Sequence, residues 1–356
     1  MTTQKSSDPA SYDLPKKIVN LNDIDSGLSG TIVIHSTRQG PATGGCRFWN
    51  YPDTQSLHQD AMRLAKGMSF KNAMAGLPLG GGKAVINIPQ VNFDRAKIFR
   101  ALGRAIQALN GEYVTAEDVG TDIADMTNVA QYTRFVAGLR ASSGRPGGDP
   151  SPFTARGVFE CMRVAVEGRL DRPLSDVTVA VQGAGNVGFQ LCAMLHEEGA
   201  KLIVAEHNSA KAAAVAARFG AEVASCNSII EAKADVFAPC ALGGVLSSRS
   251  VAKLQAKVVC GAANNQLAVP EVAEQLADHG VLYAPDYVVN AGGIINVAGE
   301  YLGWTIRNVE DRVNAIAPRL KNLFAVADQN GSTVQAAADN RAQALMMATA
   351  LDSRAA

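Results

Sequence analysis

At 356 residues, with 33 basic and 33 acidic side chains, the chain is long enough for two domains and carries no formal net charge. Balanced charge argues against an extended basic face for nucleic acid and against a polybasic membrane-surface protein. Six cysteines without a CxxC pair fit neither a disulfide framework nor a zinc site, so no metal is expected and reduced thiols in the cytoplasm are.

Met1–Ser11 is polar and lacks the apolar core of a signal peptide, and no apolar run is long enough to span a bilayer, so no membrane partner is expected. Thr31–His35, Lys83–Ile88 and Glu112–Thr115 read as strands. Between them Leu57, Ala61, Leu64, Ala65 and Met68 recur at helical spacing, as do Phe99, Leu102, Ile106 and Leu109. Gly76–Lys83 reads as a glycine-rich turn that feeds Lys83 into a buried strand. It is not a phosphate loop, because Leu77 stands where that motif needs glycine and Ala84 where it needs Ser or Thr. Lys71 falls just past the first helix and Asp118 ends a strand; singly, each of these charges fits a solvated side chain as well as chemistry.

Ala141–Phe153 is dense in Ser, Gly and Pro, which predicts a loop and a domain boundary. A strict alternation follows. Val177–Val181, Lys201–Ala205, Asp235–Phe237, Lys257–Cys260 and Val281–Tyr283 read as strands, separated by helical patterns such as Ser209–Phe219 and Pro270–His279. Short apolar strands, each followed by a helix, predict a parallel sheet covered on both faces. From about Val309 the tail reads as two long helices broken near Asn330-Gly331.

Gly183-Ala184-Gly185-Asn186-Val187-Gly188 is a GxGxxG sequence set between the strand ending at Val181 and a helix running to about Glu198. Gly183 serves the tight turn, Gly185 lets backbone approach a pyrophosphate and Gly188 lets helix and strand pack closely; the helix N-terminus offers N–H donors to the phosphates. Glu206 closes the next strand, where a carboxylate accepts ribose hydroxyls and repels a 2′-phosphate. The context predicts a dinucleotide, NAD rather than NADP.

Together Lys71, Lys83 and Asp118 complete a pattern. The chain resembles the amino-acid dehydrogenase superfamily of glutamate, leucine, phenylalanine and valine enzymes, and within it the leucine branch. The resemblance is carried by Gly40–Trp49 (GPATGGCRFW), Arg63–Ile86, Tyr113–Thr121 (YVTAEDVGT), Ser151–Val158, Phe237–Gly244, Gly261–Leu267 and Ala284–Val297. It implies an α/β protein of two domains. Residues 1–140 plus 330–356 would form a substrate-binding and oligomerisation domain, and 141–329 a doubly wound (Rossmann) NAD-binding domain. It further implies reversible oxidative deamination of an L-amino acid to a 2-oxo acid and ammonia, with NAD taking the hydride, in a homo-oligomer. Lys71 would bind the substrate carboxylate, Lys83 activate a water, and Asp118 move protons at the amine; each residue type suits its task. Asn264 would lie near the substrate carboxylate and the nicotinamide ribose, Thr154 and Asn290 near the nicotinamide amide, and Ala238 and Cys240 along its pocket. Thr43 with Gly44, Ala116, Ile294 and Val297 would surround the substrate side chain. None of these is cationic, so the resemblance implies an apolar, branched-chain aliphatic substrate. Thr43 replaces the leucine usual in that branch, which leaves a phenylalanine-preferring enzyme as the rival. From another class, a catalytically silent NAD-binding sensor has no use for the two lysines and the aspartate together.

Overall fold

The computed structural model describes residues 14–141 and 143–348. The reading of Met1–Ser11 and residue 142 of the expected boundary loop lie outside them. The chain divides into one unit over Met1–Gly148, Glu300–Gly303 and Gln343–Ala356, and a second over Asp149–Gly299 and Trp304–Ala342.

The first unit holds β1 (Lys17–Asp23), β2 (Leu28–Ser36), β3 (Ala42–Thr43), β4 (Cys46–Trp49), α1 (Thr54–Met74), β5 (Gly80–Asn87), α2 (Arg95–Ala108), β6 (Tyr113–Val114) and α3 (Ile123–Ala130). Its sheet runs β1-β2-β5-β3-β6, with β4 also paired to β5. β2 is antiparallel to β5, whereas β3 and β4 are parallel to it. Side chains alternate across such a sheet. Ala84 and Ile86 join Cys46, Phe48 and the α2 residues Ile98, Phe99 and Leu102 in one core. Val33 and Val85 face the other way, onto Leu57, Ala61, Leu64 and Ala65 of α1. Lys83, two residues before Val85, and Arg47, between Cys46 and Phe48, therefore lie on the face that α1 covers.

Three expectations are corrected here. Gly80–Gly82 are not a turn but the buried start of β5; a Cβ on Gly81 would sit 2.1 Å from the Ser69 amide nitrogen, so glycine is required for α1 to lie against the strand. α1 runs on to Met74, placing Lys71 in its last turn, because Phe70, Ala73 and Met74 prolong the buried stripe. β6 stops at Val114, so Asp118 lies beyond a strand rather than at its end. The stretch around it is held against β4, the Cys46 and Phe48 amides donating to Ala116 O at 2.8 Å and Val119 O at 3.0 Å. The polar β1 and the two-residue β3 gave no period-2 apolar signal.

The second unit holds α4 (Ser151–Leu170), β7 (Thr178–Gln182), α5 (Asn186–Glu197), β8 (Lys201–Ala205), α6 (Ser209–Phe219), β9 (Glu222–Val223), β10 (Val236–Pro239), α7 (Ser248–Val251), β11 (Val258–Val259), α8 (Val272–Asp278), β12 (Leu282–Tyr283) and α9 (Asp286–Val289). Most of α10 (Gly292–Leu302), α11 (Ile306–Asn314), α12 (Ile316–Asn330) and most of α13 (Val334–Met347) follow. The sheet is wholly parallel in the order β12-β11-β10-β7-β8-β9. Counted from β7 that order is 3-2-1-4-5-6, the doubly wound nucleotide-binding topology. The five expected strands are all present; the sixth, β9, is two exposed residues.

The expected boundary loop ends sooner than Phe153, since α4 starts at Ser151: proline is tolerated in a first turn, where Pro152 sits, and Asp149 Oδ1 accepts the Ser151 amide at 2.9 Å. The tail is three helices rather than two, α11 being started by a capping box between Thr305 and Asn308. The break at Gly331, at φ 59°, is where it was expected. The chain rejoins the first unit at Gln343, not at 330. Asp339 in the first half of α13 accepts from Tyr287 and Gln335, whereas Leu345 O in its last turn accepts from Gln39.

Candidate active site

In the first unit Lys83 is almost wholly buried, and its Nζ lies 3.0 Å from Asp118 Oδ2. Arg47 Nε donates to the same oxygen at 3.1 Å. Glycine at 45 makes this approach possible, since a Cβ there would meet Asp118 Cβ at 2.8 Å and Glu117 O at 2.3 Å. Burial pushes the Asp118 carboxyl up, but Lys83 and Arg47 outweigh it and hold the group below its ordinary value, ionised near neutrality.

Arg47 continues into a second carboxylate. Its Nη1 donates to Asp60 Oδ2 at 2.9 Å, Tyr51 donates to the same atom at 2.6 Å, and Arg63 Nη2 donates to Asp60 Oδ1 at 2.7 Å. Burial raises Asp60 too; Tyr51, Arg63 and Arg47 overcome it and leave the group lowered. Burial and the Asp60 contact push the Tyr51 phenol up. This cluster was not anticipated. Its only sequence signal was an arginine inside a short strand, between two residues destined for the core.

Both aspartates have folded values below their unfolded ones. Their stabilising effect is complete above the ordinary aspartate range and is lost as pH falls through the folded values. Acid unfolding followed by circular dichroism should therefore set in below about pH 4, and Asp60→Asn should weaken that dependence. An acid limb unchanged in the variant would remove Asp60 from the account.

Lys71 is half-buried on α1, three turns beyond Asp60 and so on the same side of the helix. Thr43 and Ala116 are buried, the Thr43 hydroxyl donating to Pro41 O at 3.3 Å. Gly44 has no room for a side chain, a Cβ falling 1.9 Å from Gly82 O. The first unit thus brings Lys83 and Asp118 into contact and sets Lys71 on the helix that covers Lys83.

In the second unit Gly183 follows β7 at φ 96°, its amide donating to Ala205 O at 2.8 Å. Gly188 lies on α5 so close to the turn that a Cβ would meet Gly183 O at 2.0 Å, while nothing lies within 4 Å of the corresponding point on Gly185. The open N-terminal turn of α5, with Gly185 and Asn186 exposed and Val187 half-buried, is the approach a phosphate needs. Glu206 turns back to this loop: Oε2 accepts the Ala184 amide at 2.9 Å and Oε1 the Asn208 amide at 3.1 Å. A cavity of about 280 Å³ is lined by Gly183, Glu206, His207, Asn227, Ala241 and Gly243.

Further along the sheet, Cys240 follows β10 with its amide bonded to Gln182 O at 2.7 Å. Burial pushes its thiol up to about 11, so it is a packing group rather than a nucleophile. Ala238 is fully buried within β10. Asn290 Nδ2 donates to Asn264 Oδ1 at 2.8 Å and to Ala262 O at 3.1 Å. Its Oδ1, like Gln182 Oε1, is buried and accepts nothing from the described residues. Thr154 Oγ1 donates to Pro150 O at 3.2 Å. Ile294 and Val297 are half-buried on successive turns of α10, whose Ile295 and Ala298 are in the core.

Residues 15–135 match the model of the Glu/Leu/Phe/Val dehydrogenase dimerisation domain, and 149–213 and 203–352 that of glutamate/leucine/phenylalanine/valine dehydrogenase. The chain belongs to this family. It is an oxidoreductase acting on the CH–NH2 group of an amino acid, and a silent scaffold is set aside. Leucine dehydrogenase of Thermoactinomyces intermedius is 44% identical over 330 residues, 92% of this chain and 90% of that one. Valine dehydrogenase of Streptomyces coelicolor is 43% identical over 335 residues, 93% and 92% of the two chains. The crystal structure of L-tryptophan dehydrogenase from Nostoc punctiforme superposes with a TM-score of 0.81 at 37% identity, covering 96% of this chain and 97% of that one. Among the described residues no helix is long and apolar enough to cross a membrane, and no group of three or more His, Cys, Asp or Glu could hold a metal.

Proposed function

We propose that this family member catalyses the reversible, NAD-dependent oxidative deamination of an apolar L-amino acid, leucine-like and branched, to the 2-oxo acid and ammonia. The observation that carries the reading is the buried Lys83–Asp118 contact on the sheet face covered by the helix bearing Lys71. Lys71 binds the substrate carboxylate through charge-assisted hydrogen bonds. Lys83 acts in this step as the neutral amine, its ammonium proton having been given up first, and takes a proton from the water that attacks the substrate carbon. Asp118, ionised between two cations, carries protons to and from the amine and favours the iminium intermediate.

The second unit's residues fit a nicotinamide dinucleotide, which when bound supplies the hydride acceptor. Gly185 and Asn186 receive the pyrophosphate at the α5 N-terminus and Glu206 the ribose hydroxyls, with Gly183, Val187 and Gly188 shaping the turn. The orphaned Asn290 Oδ1, on the side chain that also bonds Asn264, offers an acceptor to the carboxamide; Thr154, Ala238 and Cys240 are assigned to the same nicotinamide pocket. In the first unit Thr43, Gly44 and Ala116 are assigned to the substrate side chain, and in the second unit Ile294 and Val297 carry the same assignment. No charge among them pairs with an acidic side chain, and the leucine and valine dehydrogenases among the relatives support an aliphatic substrate. A dimerisation domain in the first unit, and the hetero-hexameric glutamate dehydrogenase of Thermus thermophilus with the same fold, support a homo-oligomer. Six cysteines without a disulfide support a cytoplasmic location.

Thr43, small and with its hydroxyl already satisfied, also suits a larger phenylalanine side chain. A panel of 2-oxo acids assayed with NADH and ammonium separates the two. 4-Methyl-2-oxopentanoate is expected to give the highest kcat/KM. A clear preference for phenylpyruvate moves the substrate to phenylalanine, and NADH oxidation that ignores ammonium overturns the chemistry.

A further inference from the structure

The two cations that hold Asp118 meet it on one oxygen. Lys83 Nζ and Arg47 Nε both contact Oδ2, at 3.0 and 3.1 Å. Among the described residues no group donates to Oδ1. Arg47 is not free to choose this pose, because its Nη1 is engaged by Asp60, which Tyr51 and Arg63 fix in turn. All of this lies on the α1 side of the sheet, with Arg47 on β4, Lys83 on β5 and Asp60 on α1.

We propose that Arg47 is the positioning residue of the proton-transfer step: bridged between Asp60 and Asp118, it pins Asp118 by Oδ2 and turns Oδ1 outward as the atom that takes and releases the substrate's proton. This rests on the reading of Asp118 as proton carrier. A guanidinium is suited to the task. Its planar fork engages two carboxylates in fixed directions, as an ammonium cannot, and it stays charged through every stage of a proton transfer next to it. Lys83 could hold the charge of Asp118 alone but not its orientation, since a single rotatable ammonium leaves the carboxylate free to turn about that contact. The step balances simply: the amine N–H bond breaks, an Oδ1–H bond forms, and Arg47 and Asp60 neither gain nor lose a proton.

The ionisable groups that act on Asp118 include Lys83 from β5, Arg47 and Cys46 from β4, and Tyr113 from β6, with Asp60 of α1 behind Arg47 and Glu117 next to it in the chain. Of these Lys83 and Arg47 are the cations, so removing Arg47 takes away one of the two charges that favour the carboxylate. The acid limb of kcat must then move to higher pH.

The test is a kinetic series in the full-length protein: Arg47→Gln, Arg47→Lys, Asp60→Asn and Asp118→Asn, with kcat, KM and the pH profile of each. Arg47→Gln is expected to lower kcat by at least about tenfold, within the range open to a general acid–base step. KM for the amino acid should stay within about twofold, and the acid limb should move up. Arg47→Lys should return the limb towards its original place without restoring kcat, since it returns charge but not the fork. Asp60→Asn, which leaves both cations on Asp118, should lower kcat with the limb unmoved and serves if Arg47→Gln does not fold. If Asp118→Asn abolishes turnover while Arg47→Gln leaves kcat and the acid limb unchanged, Arg47 is structural and the proposal fails. If Asp118→Asn itself turns over normally, the proton-carrier reading falls first and takes Arg47's role with it.

Discussion

Lys83→Ala is expected to reduce kcat by about 10²–10⁴-fold, the range contributed by a positioned general base. KM for the amino acid should change far less, because the substrate carboxylate is assigned to Lys71 on a different element. The size of the loss follows from the geometry. Lys83 is held in the buried run of β5, its Nζ 3.0 Å from Asp118 Oδ2, and no neighbouring lysine on that strand could take its place. The change also acts on Asp118, which keeps Arg47 but loses the larger of the two cationic influences that lower it. Removing one member of a buried charge pair usually destabilises strongly, by about 3–5 kcal/mol when the other charge is stranded. Here the stranded carboxylate retains Arg47, so a smaller loss and a folded protein are expected. NADH binding, which draws on residues of the second unit, should survive. Stopped-flow or steady-state rates beside a dinucleotide titration check this, and turnover within tenfold of the parent would remove Lys83 from the chemistry.

The second unit was legible from the sequence because its signals are local. A five-residue apolar strand, a GxGxxG turn and a helix are contiguous, so β7 and β8 fell within a residue of where the pattern put them and α6 fell at Ser209–Phe219. The first unit was less legible because its geometry is set by contacts distant in sequence. Three glycines in a row have the local preferences of a turn. They form a strand because α1 and the neighbouring backbone press so close that no Cβ fits. Lys71 read as lying beyond a helix because the apolar spacing was followed only to Met68, whereas the buried face continues through Ser69, Phe70, Ala73 and Met74.

The charges were the least legible feature. Lys71, Lys83 and Asp118 were ambiguous one at a time and became a set only through family resemblance. Arg47 and Asp60 were not singled out at all: their meaning lies in which groups they touch, and Arg47 reaches Asp118 across 71 residues of chain. Periodicity can assign Arg47 to the face opposite Cys46 and Phe48. Only the fold brings Asp60 of α1 over that face.

Glu206→Gln is expected to lower the ratio of kcat/KM for NAD over NADP by about 10²-fold. A carboxylate beside a 2′-phosphate is a like-charge contact that costs several kcal/mol, and every 1.4 kcal/mol is a factor of ten. The carboxylate is ionised at neutral pH: the Asn208 amide holds it below its ordinary value, partial burial opposes this, and the Ala184 amide and Lys211 add to the lowering. The same two amides fix its direction, Oε2 towards the glycine turn and Oε1 towards the start of α6. Glutamine keeps one carbonyl acceptor but sets an NH2 group against the other amide, so one N–H is left unpaired and NAD affinity should fall by about tenfold. NADP should gain for a separate reason: with the carboxylate gone, Lys211 remains as the nearby charge and is attractive to a phosphate. Kinetics with both cofactors across a salt series separate the two effects, since the charge effect is screened and the lost hydrogen bond is not. A preference ratio that stays within threefold would mean that Glu206 serves only to hold the turn, and that discrimination against the phosphate lies elsewhere in the cavity around Gly183 and Asn227.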